Sequence, residues 1–324
     1  MEPVFIPSAG SPVRHLDREM REDLASSLQR IAHRAAAYLP GDVSIEAACR
    51  DIRAHRIDPA LFAVYYEFIH QVQGNAWDGA ARSWRAIAAK AGETVRLEYQ
   101  PFNSLDEDAE RFQRLFASGG QAAKLFARPD ESSWRGFVSN VDAALALLEA
   151  VSSDWRDEID SLLTRIYAAV PPEDALWRFS GSSSFMVWGA VVLNVQRNNN
   201  PMRVLTGIVH EATHQMLFGL SRRQPLTENP PGQRYPSPLR SDPRPMDGVY
   251  HATYVSGRLC AFHTLLGRHE GLDEMERAEI NERLDRQKKH FADGYAVVRR
   301  EGRLSPLGRE LIEAAADHVA DLAP

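Results

Sequence analysis

Residues 201–220, PMRVLTGIVHEATHQMLFGL, constrain the chain more than any other stretch. Val204, Leu205, Ile208, Val209, Met216 and Leu217 recur at the three- and four-residue spacing of a helix. Asn198, Asn199 and Asn200 stand in front as N-cap candidates, and Pro201 suits the first helical position, where a missing N–H costs nothing. Gly219 is the expected stop. Within this helix lies the pentapeptide His210-Glu211-Ala212-Thr213-His214, its two histidines flanking a half-buried position as ligands on a cleft floor would.

Side chains four apart on a helix lie one above the other, so His210 and His214 can converge on one divalent ion. Glu211 can accept or hold a proton of a metal-bound water, which makes zinc-assisted hydrolysis the usual reading of the motif. A third ligand decides the class. The extended form HExxHxxGxxH is excluded, because positions 217 and 220 are both leucine. Later candidates are Glu228, Asp242, Asp247, His251, His263 and Glu270, of which His251 has the strongest local case.

That case begins with a proline-rich polar stretch, Ser237 to Gly248, followed by a new apolar pattern of Val249, Tyr250, Tyr254, Val255, Leu259, Phe262 and Leu266. Asp247 is expected to cap this second long helix. His251, Tyr254, Val255 and Arg258 share one face at i, i+3, i+4 and i+7. An otherwise apolar helix has little reason to bury an imidazole, a phenol and a guanidinium along one line unless they face a polar cavity. Asp247, one turn before His251, could orient it or be the ligand itself.

The pairing of HEATH with SPLRSDPRPMDGVYHATYVSGR resembles the HExxH-motif peptide-modification proteins of bacterial ribosomal-peptide natural-product pathways, over roughly residues 180–270. The resemblance implies Fe(II)- and 2-oxoglutarate-dependent hydroxylation of a side-chain β-carbon in a ribosomally made precursor peptide. His210, His214 and His251 would then carry the iron. Imidazoles suit Fe(II) as well as Zn(II), and a facial three-ligand set leaves open positions for O₂ and a chelating oxo-acid. The distal carboxylate of 2-oxoglutarate needs a cation, and Arg258, about 10 Å along the helix axis from His251, is expected to supply it. Arg244 and Arg240 are further candidates in the loop. The alternative is a zinc metallopeptidase in which Glu211 is the general base and Tyr254 or Arg258 stabilises the oxyanion. A third reading, a non-catalytic protein with a structural metal, would call for four protein ligands.

With 324 residues, 44% hydrophobic and 25% charged, the chain has the composition of an ordinary globular protein. Its formal charge of −6 speaks against general nucleic-acid binding. The start, MEPVFIPSAG, lacks the basic and apolar regions of a signal peptide, and no apolar run reaches spanning length, so the cytoplasm is the expected compartment, without a membrane partner. Two cysteines, Cys49 and Cys260, do not make a disulfide scaffold.

The fold expected is mainly α with a small β element, of the α+β class, with the HExxH helix beside a short sheet. Amphipathic helices are read at 16–38, 43–55, 59–73, 78–91, 106–117, 131–150 and 154–168, followed by the metal-binding helices and by two more at 273–300 and 305–322. Phe62, Tyr65, Tyr66 and Phe68 read as core packing. Thr94–Tyr99 is a strand candidate, and Phe179–Val195 reads as one or two strands, of which an edge strand could pair with an extended peptide. Pro171-Pro172 suggests a helical N-terminal region, 1–170, and a catalytic region, 171–324.

Overall fold

The computed structural model describes residues 5–103, 107–116, 125–173, 175, 179–237, 239 and 242–322. Among these the chain forms eleven α-helices and one four-stranded sheet, the mainly α architecture with a small β element that the sequence implies. Helices α1 (Leu16–Ala35), α2 (Ile45–Ala54), α3 (Pro59–Gln73), α4 (Trp77–Lys90), α5 (Glu107–Phe116), α6 (Glu131–Val151) and α7 (Ser153–Leu162) dominate the N-terminal half. Ser44 caps α2, and Asp58 caps α3 with Pro59 next in line, so side-chain oxygens take up N–H groups that have no helical partner.

The helical pattern read at 154–168 ends earlier than its periodicity suggests. Helix α7 stops at Leu162, and Arg165–Ala169 is a strand, β2. A run of four apolar residues after Arg165 fits either period, and β2 is drawn into the sheet by parallel neighbours on both sides. The other strands are β1 (Glu98–Pro101), β3 (Gly181–Ser183) and β4 (Ala190–Asn194), in the order β1-β2-β4-β3. β1, β2 and β4 run parallel, while β3 lies antiparallel to β4 at the edge, with Gly181 opposite Leu193 and Ser183 opposite Val191. All of β4 is buried, as a parallel strand covered on both faces should be. The segment 179–195 thus yields two strands, separated by a short 3-10 turn at Phe185–Val187 that Ser184 caps.

The chain divides into two compact units, one of Val13–Ala146 with Asp157–Gln215 and the other of Met1–Pro12, Leu147–Arg156 and Met216–Pro324. The first holds the whole sheet, with β1 and β2 from before residue 170 and β3 and β4 from after it, so Pro171-Pro172 lies inside one unit. Its core includes a run of aromatic rings: Phe126 meets Phe102, Phe116 and Phe179 at centroid distances of 5.3, 5.5 and 5.1 Å. Phe62 and Phe68 are buried as core residues, and Tyr65 donates its hydroxyl to Ser27 (2.7 Å).

The second unit contains α9 (Met246–Gly267), α10 (Glu274–Glu301) and α11 (Pro306–Asp321). α9 is buried over most of its circumference, which is why its sequence shows only a weak polar face. It starts one residue before Asp247, after Pro245, so Asp247 is a first-turn residue and not the cap expected of it. Its negative charge there still suits the positive end of the helix. α10 opens with a reciprocal capping box between Asp273 and Glu276, and Tyr250 ties α9 to the start of α11 by donating to the Gly308 carbonyl (2.7 Å). Cys49 and Cys260 are buried free thiols, and no helix among the described residues is long and apolar enough to cross a membrane.

One buried titratable group of this unit has a measurable consequence. His263 of α9 is buried, and desolvation together with Arg283 and Arg286 of α10 lowers its pKa from 6.5 to about 3. Between those two values the unfolded chain binds a proton that the folded chain does not, so His263 costs stability progressively as pH falls from 6.5 to about 3. Denaturant titrations across that window should give a shallower pH dependence for His263→Gln than for the wild type. Parallel profiles would assign the acid sensitivity to other groups.

Candidate metal centre and the seat of its carboxylate

Helix α8 (Pro201–Ser221) begins as its sequence dictates, with the Asn200 side chain accepting from the Arg203 N–H (2.8 Å) and Pro201 in the first position. Its end differs from expectation. The helix runs through Gly219 to Ser221, and its last carbonyls are taken by side chains: Arg222 donates to Gly219 (2.8 Å) and Ser221 to Phe218 (3.3 Å).

His210 and His214 sit one turn apart on α8 with ring centroids 5.1 Å from each other. A third of the His210 side chain, 33%, stays open, yet the ring is packed deeply enough that burial lowers its pKa to about 4. It is therefore neutral near pH 7, the form in which imidazole nitrogen can ligate a metal. Donor type and spacing fit a divalent ion. Among the described residues, however, no group of three or more His, Cys, Asp or Glu side chains is gathered to hold one.

Glu211 is buried, 4% exposed, and burial raises its pKa to about 7 against the opposing hydrogen bond from Ser183. Ser183 Oγ donates to Glu211 Oε2 at 2.8 Å, and Glu211 Oε1 lies 3.9 Å from His210 Nε2. The carboxylate rests against the backbone of edge strand β3: a Cβ added at Gly181 would stand 2.9 Å from both Cγ and Cδ of Glu211 and nearer still to Oε1. Only glycine admits this approach.

Two asparagines hold β3 in that place. Asn194 Nδ2 donates to the Phe179 carbonyl (2.9 Å), and Asn198 Nδ2 donates to the carbonyls of Ser180 (2.8 Å) and Asn194 (2.9 Å). Asn198 also packs closely on α8, where a Cβ at Gly207 would come within 2.6 Å of its Oδ1. None of Gly181, Ser183, Asn194 or Asn198 stands out in the sequence as a site residue. A Gly-Ser run ahead of an apolar strand was the available signal, and it does not say which helix the strand will meet.

The remaining sequence-derived candidates lie in the other unit. His251 is buried, its Nε2 3.8 Å from Asp247 Oδ1, and burial lowers its pKa while Asp247 opposes the shift. Its ring packs on Phe218 at 5.4 Å, four residues past His214 in the α8 sequence. Tyr254 is fully buried, edge-on to Phe5 at 5.5 Å. Arg258 is fully buried too, donating to the Phe5 carbonyl (2.7 Å) with its guanidinium 4.5 Å from the Trp155 ring centroid. Arg244 is 40% exposed, 3.5 Å from Asp242, and its backbone pairs with Tyr235. Arg240 lies outside the described residues.

No protein-family model and no curated protein matches the chain. The contacts of Arg258 are those of a packed residue. Arg258→Ala should therefore lower the free energy of unfolding by about 2–4 kcal/mol, through a cavity and an unsatisfied carbonyl. Urea titration measures this, and a loss below about 0.5 kcal/mol, typical of surface sites, would show that the contacts carry no stability.

Proposed function

We propose that this protein is a metal-dependent enzyme that modifies a peptide, with His210, His214 and His251 as ligands and Glu211 as the carboxylate beside the ion. The observation that carries this reading is Glu211 itself. A buried carboxylate between an imidazole-bearing helix and a sheet edge costs the fold stability, a cost that a role in chemistry accounts for. The inclusion of His251 rests on the motif resemblance, which pairs HEATH with the segment that carries it. A peptide substrate is supported by β3, whose edge position offers main-chain pairing to an extended chain.

For the chemistry, the motif resemblance favours Fe(II) and 2-oxoglutarate and hydroxylation of a side-chain β-carbon in a ribosomally made precursor peptide. Bound together, and with O₂ as the oxidant, these cofactors would supply hydroxylation of an unactivated C–H bond, with 2-oxoglutarate decarboxylated to succinate. Glu211 then orients the substrate. Between the two arginines offered for the distal carboxylate, Arg244 can exchange Asp242 for a new anion at less cost than Arg258 can leave Phe5 and Trp155. A reducing compartment such as the cytoplasm suits both Fe(II) and two free thiols.

One observation favours a second reading, a zinc metallopeptidase. A carboxyl with pKa of about 7 is matched to general-base work near neutral pH, and Glu211 would take the proton from an attacking water. Anaerobic titration of 2-oxoglutarate into Fe(II)-loaded protein separates the two. The oxygenase reading expects a saturable visible charge-transfer band and a roughly tenfold or greater weakening of 2-oxoglutarate binding in Arg244→Ala, the loss of one charge-assisted hydrogen bond. Bound iron without a band, together with peptide cleavage by zinc-loaded protein that Glu211→Gln abolishes, would establish the hydrolase instead.

A further inference from the structure

We infer that Ser183 is a positioning residue, whose hydroxyl holds the Glu211 carboxylate on strand β3 and so prevents it from becoming a ligand of the metal ion. This rests on the metal-dependent reading above. Oε1 of Glu211 is 3.9 Å from Nε2 of His210, so a small rotation of the side chain carries a carboxylate oxygen toward whatever His210 binds. Carboxylates are good ligands for the divalent ions that imidazole pairs take up, and each further protein ligand closes a position that catalysis needs open. The motif therefore contains a hazard: its own glutamate can occupy the site it serves.

Three features on β3 oppose that movement. Ser183 Oγ donates to Oε2 at 2.8 Å, which would have to break for the carboxylate to turn. Gly181 supplies the recess in which the carboxylate lies, since a Cβ there would overlap Cγ, Cδ and Oε1. The strand itself does not follow the carboxylate, because the Ser180 carbonyl accepts from both the Asn194 N–H (3.0 Å) and Asn198 Nδ2 (2.8 Å), and Asn198 is wedged against Gly207 of α8. The seat is thus built from an edge strand fixed to the same helix that carries the two histidines. Ser183 touches neither ion nor substrate in this arrangement and acts through Glu211.

Cobalt(II) reports the number of ligands around it through its visible absorption, independently of any turnover. Wild type and Ser183→Thr, which keeps the hydroxyl, should share one Co(II) spectrum. Ser183→Ala and Gly181→Ala should both change its intensity and position, as the released carboxylate joins the ion. Adding Glu211→Gln to Ser183→Ala should return the spectrum to that of Glu211→Gln alone. Circular dichroism verifies that each variant is folded, and a serine that merely stabilises the fold would lower the melting temperature without altering the spectrum. Spectra of Ser183→Ala and Gly181→Ala that match wild type with Co(II) bound would overturn the positioning role. Wild-type protein that takes up no Co(II), or takes it up equally after His210→Ala, would overturn the metal reading and this inference with it.

Discussion

Helix α8 is apolar enough to be a core helix, yet it carries a carboxylate at a buried position, and a buried carboxylate must be met by a donor. Its donor is Ser183, on a strand. This requirement explains why β3 must come so close, why it has Gly181 and Ser183 where it does, and why buried Asn194 and Asn198 anchor its path. Close approach of strand to helix is also what makes an edge strand and an imidazole pair neighbours. A fold without that contact could keep the helix and lose the site.

The second helix of the pair obeys a different constraint. Along α9 the polar line of His251, Tyr254 and Arg258 reads from sequence as the wall of a polar cavity, and within its own unit it is instead largely a packing line. Tyr254 meets Phe5 edge-on, and Arg258 spends one donor on the Phe5 carbonyl and its face on Trp155. A buried guanidinium needs acceptors and a polarisable surface, and the N-terminal segment and α7 provide them. His251 differs, lying nearest the start of the helix between Phe218 and Asp247.

How far the sequence could be read follows from the range of each interaction. The start of α8 was legible because a cap acts within three residues, Asn200 beside Pro201, whereas the cap expected at Asp247 falls inside the first turn of α9. The His210–His214 juxtaposition was legible because it is one helical turn. The strand identity of 165–169 was not, since a short apolar run acquires its conformation from β1 and β4. The role of Arg258 was hidden by its partner, Phe5, 253 residues away. Gly181 and Ser183 were hidden likewise, since only the folded sheet tells which residue of a Gly-Ser run will face Glu211.

X-ray absorption on protein loaded with a single equivalent of Fe(II) or Zn(II) tests the central claim most directly, because it counts imidazole ligands without needing a substrate. Three histidine nitrogens at about 2.0–2.2 Å are expected, falling to two in His251→Ala and in His214→Ala alike. A count of two that His251→Ala leaves unchanged would remove His251 from the site, and scattering without imidazole ligands would contradict the metal centre altogether.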